Sequence, residues 1–220
     1  MSTDERREDI LEAATRLFRH YGYAKTTVAD VAREAHMGVG TFYLVFSSKE
    51  EIVEELSSRA HVRVLDAMRG VAEARAHDSF AERLTGVLER RVAAFCELAE
   101  QGQHACELVH CKNGPVKSVH ARFREQEAAL LKDLFEQARK TGELAPVDVT
   151  RVVMMVQRAY ATLSPPWLYE QPAEEARRLA YEMSRLLLLG LTTRGARPVA
   201  PTAPVASVAA KRKKASRPKR

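Results

Sequence analysis

Residues 26–56 read TTVADVAREAHMGVGTFYLVFSSKEEIVEEL, and their spacing predicts two short helices joined by a tight turn, followed by a long third helix. Thr27 stands three residues before Asp30, as in a capping box, where a hydroxyl covers one helix-end N–H and a carboxylate reaches back to another. The helix so opened, 28–35, puts Val28, Val31, Ala32 and Ala35 on one stripe. His36-Met37-Gly38 breaks the pattern, and Gly38 is the residue expected to take backbone angles that side chains resist. A second short helix is expected over 39–46. Ser47 or Ser48 caps the next, with Glu50 and Glu51 in its first turn, at the positive end of the dipole. Two short helices so tightly joined form a helix-turn-helix, whose second helix can enter a DNA major groove.

Over these residues the chain resembles the TetR family of transcriptional regulators. That family carries a pattern close to T-[TS]-[VIM]-x-D-[IV]-A-x-x-[AS]-G-V-S-x-G-T-x-Y-x-[YH]-F-x-[SN]-K-E. Thr26, Thr27, Val28, Asp30, Val31, Ala32, Ala35, Gly40, Thr41, Tyr43, Phe46, Ser48, Lys49 and Glu50 fall on it without a gap. So many matched positions are far more specific than a lone short motif. Beyond residue 55 or so the agreement is only in length and helical character. The resemblance implies an all-α bacterial regulator without enzymatic activity. Its parts would be a three-helix head at 1–50 and a helical effector-binding and dimerisation body at 51–195. Such a protein would bind a palindromic operator in double-stranded DNA as a homodimer and leave it when an unidentified small-molecule effector binds.

The resemblance makes 39–46 the recognition helix and Thr27, Gly38, Val39, Gly40, Thr41, Tyr43, Leu44 and Lys49 the DNA-facing residues. Thr41 is then expected on a base or phosphate, Tyr43 and Lys49 on phosphates, and Thr27 on the backbone. The helix has no charged side chain, so the common arginine-to-guanine contact cannot come from it. Its backbone N–H groups suit a phosphate, and Val39 or Leu44 suits thymine methyls. Gly38 replaces the serine that often caps this helix in the family, while Leu44 and Val45 replace polar or aromatic types. Helical spacing assigns Phe42 and Phe46 to core. Arg6 and Arg7 lie among Asp4, Glu5, Glu8 and Asp9, which points to solvated surface.

At 220 residues the chain can bury a substantial core. It has no apolar run long enough for a bilayer, and its charged start, MSTDERREDI, lacks an apolar signal core, so a cytoplasmic protein without a membrane partner is expected. Three cysteines argue against a disulfide framework. The net charge of +6 is unevenly placed: residues 196–220 hold eight basic and no acidic side chains, and subtracting those eight leaves −2 for the rest. Seven of the eight crowd into 211–220 among alanine, serine and proline. This composition predicts a disordered basic tail, either an electrostatic arm for DNA or a solubilising extension.

Further helices are expected at about 5–21, 48–74, 80–100, 116–140, 149–163 and 173–191, with a short one near 104–111. In the last helix Ala176, Leu179, Ala180, Met183, Leu186, Leu187 and Gly190 make one stripe, and Leu188 and Leu189 widen it. A helix apolar on more than one side must be covered on more than one side, which fits core plus a dimer partner. Candidates for an effector pocket are Phe95, Phe123, Met154, Met155, Arg158, Tyr160 and Trp167, although such apolar residues at helical spacing are more often plain core. Arg158, in the apolar run VVMMVQRAYATL, has three outlets: a carboxylate across a dimer, solvent, or an acidic ligand.

His104, Cys106, His110, Cys111 and His120 lack paired-cysteine knuckles, so no metal or other cofactor is expected, with a metal- or thiol-sensing regulator the minority alternative. An architectural protein coating DNA with its tail is a further alternative, disfavoured by the near-complete helix-turn-helix pattern. No nucleophile-base set, phosphate loop or dinucleotide fingerprint suggests an enzyme.

Overall fold

The computed structural model describes residues 2–102, 104 and 114–192. The expected short helix near 104–111, the Cys106, His110 and Cys111 cluster and the basic tail lie outside the described residues. Among those described there are eight α-helices and no strand: α1 (Thr3–Tyr21), α2 (Val28–Glu34), α3 (Val39–Tyr43), α4 (Lys49–Ala74), α5 (Phe80–Ala99), α6 (Gly114–Thr141), α7 (Val149–Ala159) and α8 (Ala173–Thr192). Among the same residues no helix is long and apolar enough to cross a membrane.

Each boundary has a local cause. Ser2 and Glu5 form a capping box on α1, Thr27 and Asp30 on α2, and Ser79 and Glu82 on α5; Asp148 caps α7. Each box satisfies two N–H groups that a helix start otherwise leaves open. α1 stops at Gly22, whose φ of 85° suits glycine and whose N–H returns to the Phe18 carbonyl at 3.0 Å.

Two apolar cores result. In the head, Ile10, Leu11, Ala14 and Phe18 of α1 meet Val31 and Ala32 of α2, Phe42 of α3 and Phe46. Ile52, Val53 and Leu56 of α4, and Val116 from the start of α6, complete that core. In the body, α4, α5, α6 and α8 enclose Leu65, Met68, Leu84, Leu88, Phe135 and Ala180. At a rise of about 1.5 Å per residue, α4 runs roughly 39 Å through both cores.

Several expectations need correction. The left-handed residue of the turn is His36, with φ of 55°, while Gly38 has ordinary extended angles. His36 and Met37 donate backbone N–H bonds to Arg33 (3.1 Å) and Ala32 (2.9 Å), a Schellman-type closure that demands left-handed geometry at its centre. α3 ends at Tyr43, short of the expected 46, because the Leu44 and Val45 amides turn back to the carbonyls of Thr41 and Phe42. α7 gives way at Tyr160 to a 3-10 turn over Tyr160–Leu163, and a second such turn, Trp167–Glu170, lies between the helices expected at 149–163 and 173–191.

Arg7 is not simple solvated surface: its guanidinium lies 4.3 Å from the centre of the Phe46 ring and pairs with Glu55. In α8 the wide apolar surface divides between core and exterior. Ala176, Ala180 and Leu188 are buried, Leu179, Met183 and Leu187 are half-buried, and Leu186 and Leu189 stay 69% and 66% exposed.

His36 is exposed and holds backbone angles that cost a side-chain-bearing residue about 1 kcal/mol or more. His36→Gly should therefore stabilise the protein by about 1 kcal/mol in chemical denaturation. An unchanged or lowered midpoint would show that the turn carries no such strain.

Candidate nucleic-acid interface and effector cavity

The outward face of α3 and the residue after it is largely apolar. Val39 and Tyr43 are exposed, Leu44 is 79% exposed, and Thr41 is half-buried. Phe42 faces inward, fully buried, with its ring edge-on to Tyr43 at 5.4 Å. α3 has no side-chain cap at Gly38, so its first amides point outward without a partner hydroxyl. A Cβ added at Gly38 or Gly40 would meet nothing within 4 Å, so neither glycine is required by packing within the chain.

Two of the expected DNA contacts are engaged internally. The Thr27 hydroxyl donates to the Asp30 carboxylate at 2.6 Å and accepts the Asp30 amide at 3.2 Å. The Lys49 ammonium donates to the carbonyls of Tyr23 and Thr26, both at 2.8 Å, and lies 4.2 Å from the Tyr23 ring centre. Tyr23 in turn donates to Glu50 at 2.8 Å, and that bond, the largest cause, lowers the Glu50 pKa. Lys49 and Glu50 thereby fasten the start of α4 to the segment between α1 and α2.

In the body, a cavity of about 300 Å³ opens between α4, α5, α6 and the turn after α7. Phe95, Phe123 and His61 form its aromatic wall, with ring centres 5.0–5.9 Å apart, and Trp167 stands at the mouth, exposed. His120 lies 5.1 Å from His61. Of the seven expected pocket residues, the structure brings Phe95, Phe123 and Trp167 together here. The other four lie elsewhere. Tyr160 is buried on the α8 side, donating to the Ala180 carbonyl at 2.6 Å beside Ser184. Met154, Met155 and Arg158 are exposed on α7.

The cavity floor is an ion pair that the sequence reading missed. Arg91 and Glu127 are only 4% and 2% exposed. Arg91 Nε donates to Glu127, Nη1 to the Leu163 carbonyl at 3.1 Å, and Nη2 to Ser164 Oγ at 2.8 Å. Gln157 Nε2 donates to the other Glu127 oxygen at 3.0 Å. The signal was available: Val87, Leu88 and Phe95 share the helical face of Arg91 at i−4, i−3 and i+4. With the buried charges matched, the cavity offers aromatic surface and one exposed cation at its edge, Arg124. That composition suits a small apolar molecule better than a metal. Among the described residues no group of three or more His, Cys, Asp or Glu could hold a metal ion.

Fold and site together define a helix-turn-helix DNA-binding protein with a separate, cavity-bearing helical body. Residues 10–56 match the family described as bacterial regulatory proteins of the tetR type. The chain is 28% identical over 204 residues to the transcriptional regulator YhgD of Bacillus subtilis, covering 87% of this chain and 99% of that one. It is 26% identical over 199 residues to the transcriptional repressor KstR2 of Mycobacterium tuberculosis, covering 87% and 96%. The regulator FadR of Bacillus subtilis, solved with stearoyl-CoA, shares the fold with a TM-score of 0.64 at 18% identity, over 83% of this chain and 98% of that one. Residues 10–56 thus carry a TetR-type DNA-binding head, and over most of its length the chain is similar to proteins that are transcriptional regulators.

Removing one member of a buried ion pair strands the other. Glu127→Ala should cost about 3–5 kcal/mol in chemical denaturation, and the double change Arg91→Met with Glu127→Leu should recover most of it. A single variant as stable as wild type would remove the pair from its structural role. His61 supplies a pH test. Burial, reinforced by His120 and Arg91 and opposed by a bond to the Ser57 carbonyl, pushes its pKa down to about 4. The unfolded chain takes up a proton near pH 6.5, which the fold refuses until about 4. Stability should fall as pH drops through that window, less steeply in His61→Gln; equal slopes would contradict the assignment.

Proposed function

We propose that the protein is a ligand-responsive repressor that binds a palindromic operator as a homodimer and is released by a small apolar effector carrying an anionic group. One observation carries this reading: α4 and α6 each hold part of the head core and part of the cavity wall. α4 has Val53 in the head and His61 at the cavity, about 12 Å along the helix. α6 has Val116 in the head and Phe123 at the cavity, about 10 Å along. An effector wedged against Phe123 and His61 shifts helices on which the head is mounted, changing how two heads are spaced. The aromatic walls, Arg124 at the edge and the stearoyl-CoA held by the similar FadR support an apolar acid or its thioester as the effector class.

Dimerisation is supported by exposed apolar side chains on the last two helices: Met154 and Met155 of α7, and Tyr181, Leu186 and Leu189 of α8. Such surface on a monomer marks an interaction site. Two heads would then sit about 34–36 Å apart in successive major grooves. In each half-site Leu44 and Val39 would meet thymine methyls, Thr41 a base or phosphate and Tyr43 a phosphate, with the outward amides of α3 near the backbone. The open space over Gly38 and Gly40 leaves room for that approach. Lys49 and Thr27 then serve mainly to position the head, with one Lys49 N–H left over for a phosphate. The protein would work in the cytoplasm, on the nucleoid.

Leu186→Glu should yield monomers in sedimentation and lose the operator. Leu44→Ala should change which bases are preferred in a binding selection. Tyr43→Phe should weaken all sequences alike, by about 0.5–1.5 kcal/mol. A monomeric Leu186→Glu protein that protects a whole palindrome at wild-type affinity would defeat the proposal.

A further inference from the structure

A second cavity, of about 360 Å³, lies at the junction of head and body, on the face of α4 carrying Arg59 and Arg63. α1 and the end of α5 form its other walls. His61, which lines the aromatic cavity, is not among the residues of this one. Four arginines line it, Arg16, Arg19, Arg59 and Arg63, against two carboxylates, Glu8 and Glu12.

The carboxylates are already spoken for. Both oxygens of Glu8 accept from Arg59, at 2.7 and 2.6 Å, and Arg59 is shared with Glu55 at 2.7 Å. Arg16 is held by Glu34 at 2.9 Å, with Glu12 at 3.9 Å. That leaves Arg19 and Arg63. Among the described residues Arg19 has only the neutral Gln101 amide as side-chain partner, and its Nε is buried with no hydrogen-bond partner there. Arg63, exposed on α4, has no hydrogen bond or ion pair among the described residues. Burial and the like charge of Arg63 both disfavour the Arg19 cation. Two guanidinium groups facing one cavity with no carboxylate partner among the described residues, one with a buried N–H unpaired there, make an arrangement that a bound anion completes.

We propose that this junction is an anion site for a phosphate-class dianion, bridged by Arg19 of α1 and Arg63 of α4 with Arg16 and Arg59 flanking. Guanidinium forks match phosphate oxygens in pairs, so a tetrahedral dianion gains more there than a halide. The bound ion ties α1 of the head to α4, making it a second input on head position, separate from the aromatic cavity. The phosphate is either the free ion or the terminal group of a soluble phosphomonoester.

The test is thermal unfolding of the full chain titrated with inorganic phosphate, with glycerol 3-phosphate in a parallel arm, at ionic strength held constant with chloride. Wild type should show a saturable rise in Tm, about 3–5 °C at ten times the half-saturating concentration, because a ligand of the native state stabilises it by mass action. Arg63 has no partner to lose among the described residues, so Arg63→Gln should fold normally, match or exceed wild type without phosphate, and lose the rise. Arg178→Gln, which breaks a surface pair elsewhere at 3.0 Å, should keep it. A lower half-point for the ester assigns the site to an organic phosphate; an equal or lower one for the inorganic ion assigns it to free phosphate. No saturable rise in wild type, or a rise undiminished in Arg63→Gln, overturns the proposal.

Discussion

Arg91 and Glu127 cannot be buried separately. An unpaired charge in a protein interior costs several kcal/mol, so each guarantees the position of the other. Their pairing fixes α5 against α6, and the remaining Arg91 donors reach across to Leu163 and Ser164 in the turn after α7. Gln157 closes the ring from α7 by donating to Glu127. Four segments are thus held around one polar point, and the aromatic cavity is the space they leave beside it.

The position of that space gives it consequences for the head. The head has too little apolar surface of its own to close its core, and borrows Ile52, Val53 and Leu56 from α4 and Val116 from α6. Both lenders continue into the body as cavity wall. Packed interiors transmit strain because they are close to crystal density. On the proposed function, a change at Phe123 or His61 would reach the head through the helices that complete its core. Ser118 and Arg122 on α6 strengthen the link by bonding Glu54 of α4, at 3.0 and 3.5 Å.

Much of the head was legible because its signals are local. The Thr27–Asp30 box, the stop at Gly22 and the inward Phe42 and Phe46 each depend on residues within a turn or two of helix. What the sequence hid is long-range or conformational. The two carbonyl partners of Lys49 lie 26 and 23 residues away, so local spacing does not show that it also fastens α4 to the head. Arg158 stands out in an apolar run yet is exposed, since α7 turns that face to the surface; Arg91, which no sequence reading singled out, is the buried one. The left-handed residue was assigned to Gly38 on residue type, although the family pattern carries its glycine where this chain has His36. That α8 is apolar on more than one side was legible from its consecutive leucines, but only the neighbouring helices decide which of them point out.

The claim at the centre of this account is that the aromatic cavity and the DNA-reading head share one structural unit through α4 and α6. Its most direct test is operator affinity measured with and without a compound that occupies the cavity, occupancy being shown by loss of binding in Phe123→Ala. The account predicts a change in operator affinity of about 5- to 150-fold, and the same factor in compound affinity when operator is present, since coupling between two sites is reciprocal. A compound that fills the cavity, is displaced by Phe123→Ala and leaves operator affinity unchanged would contradict it.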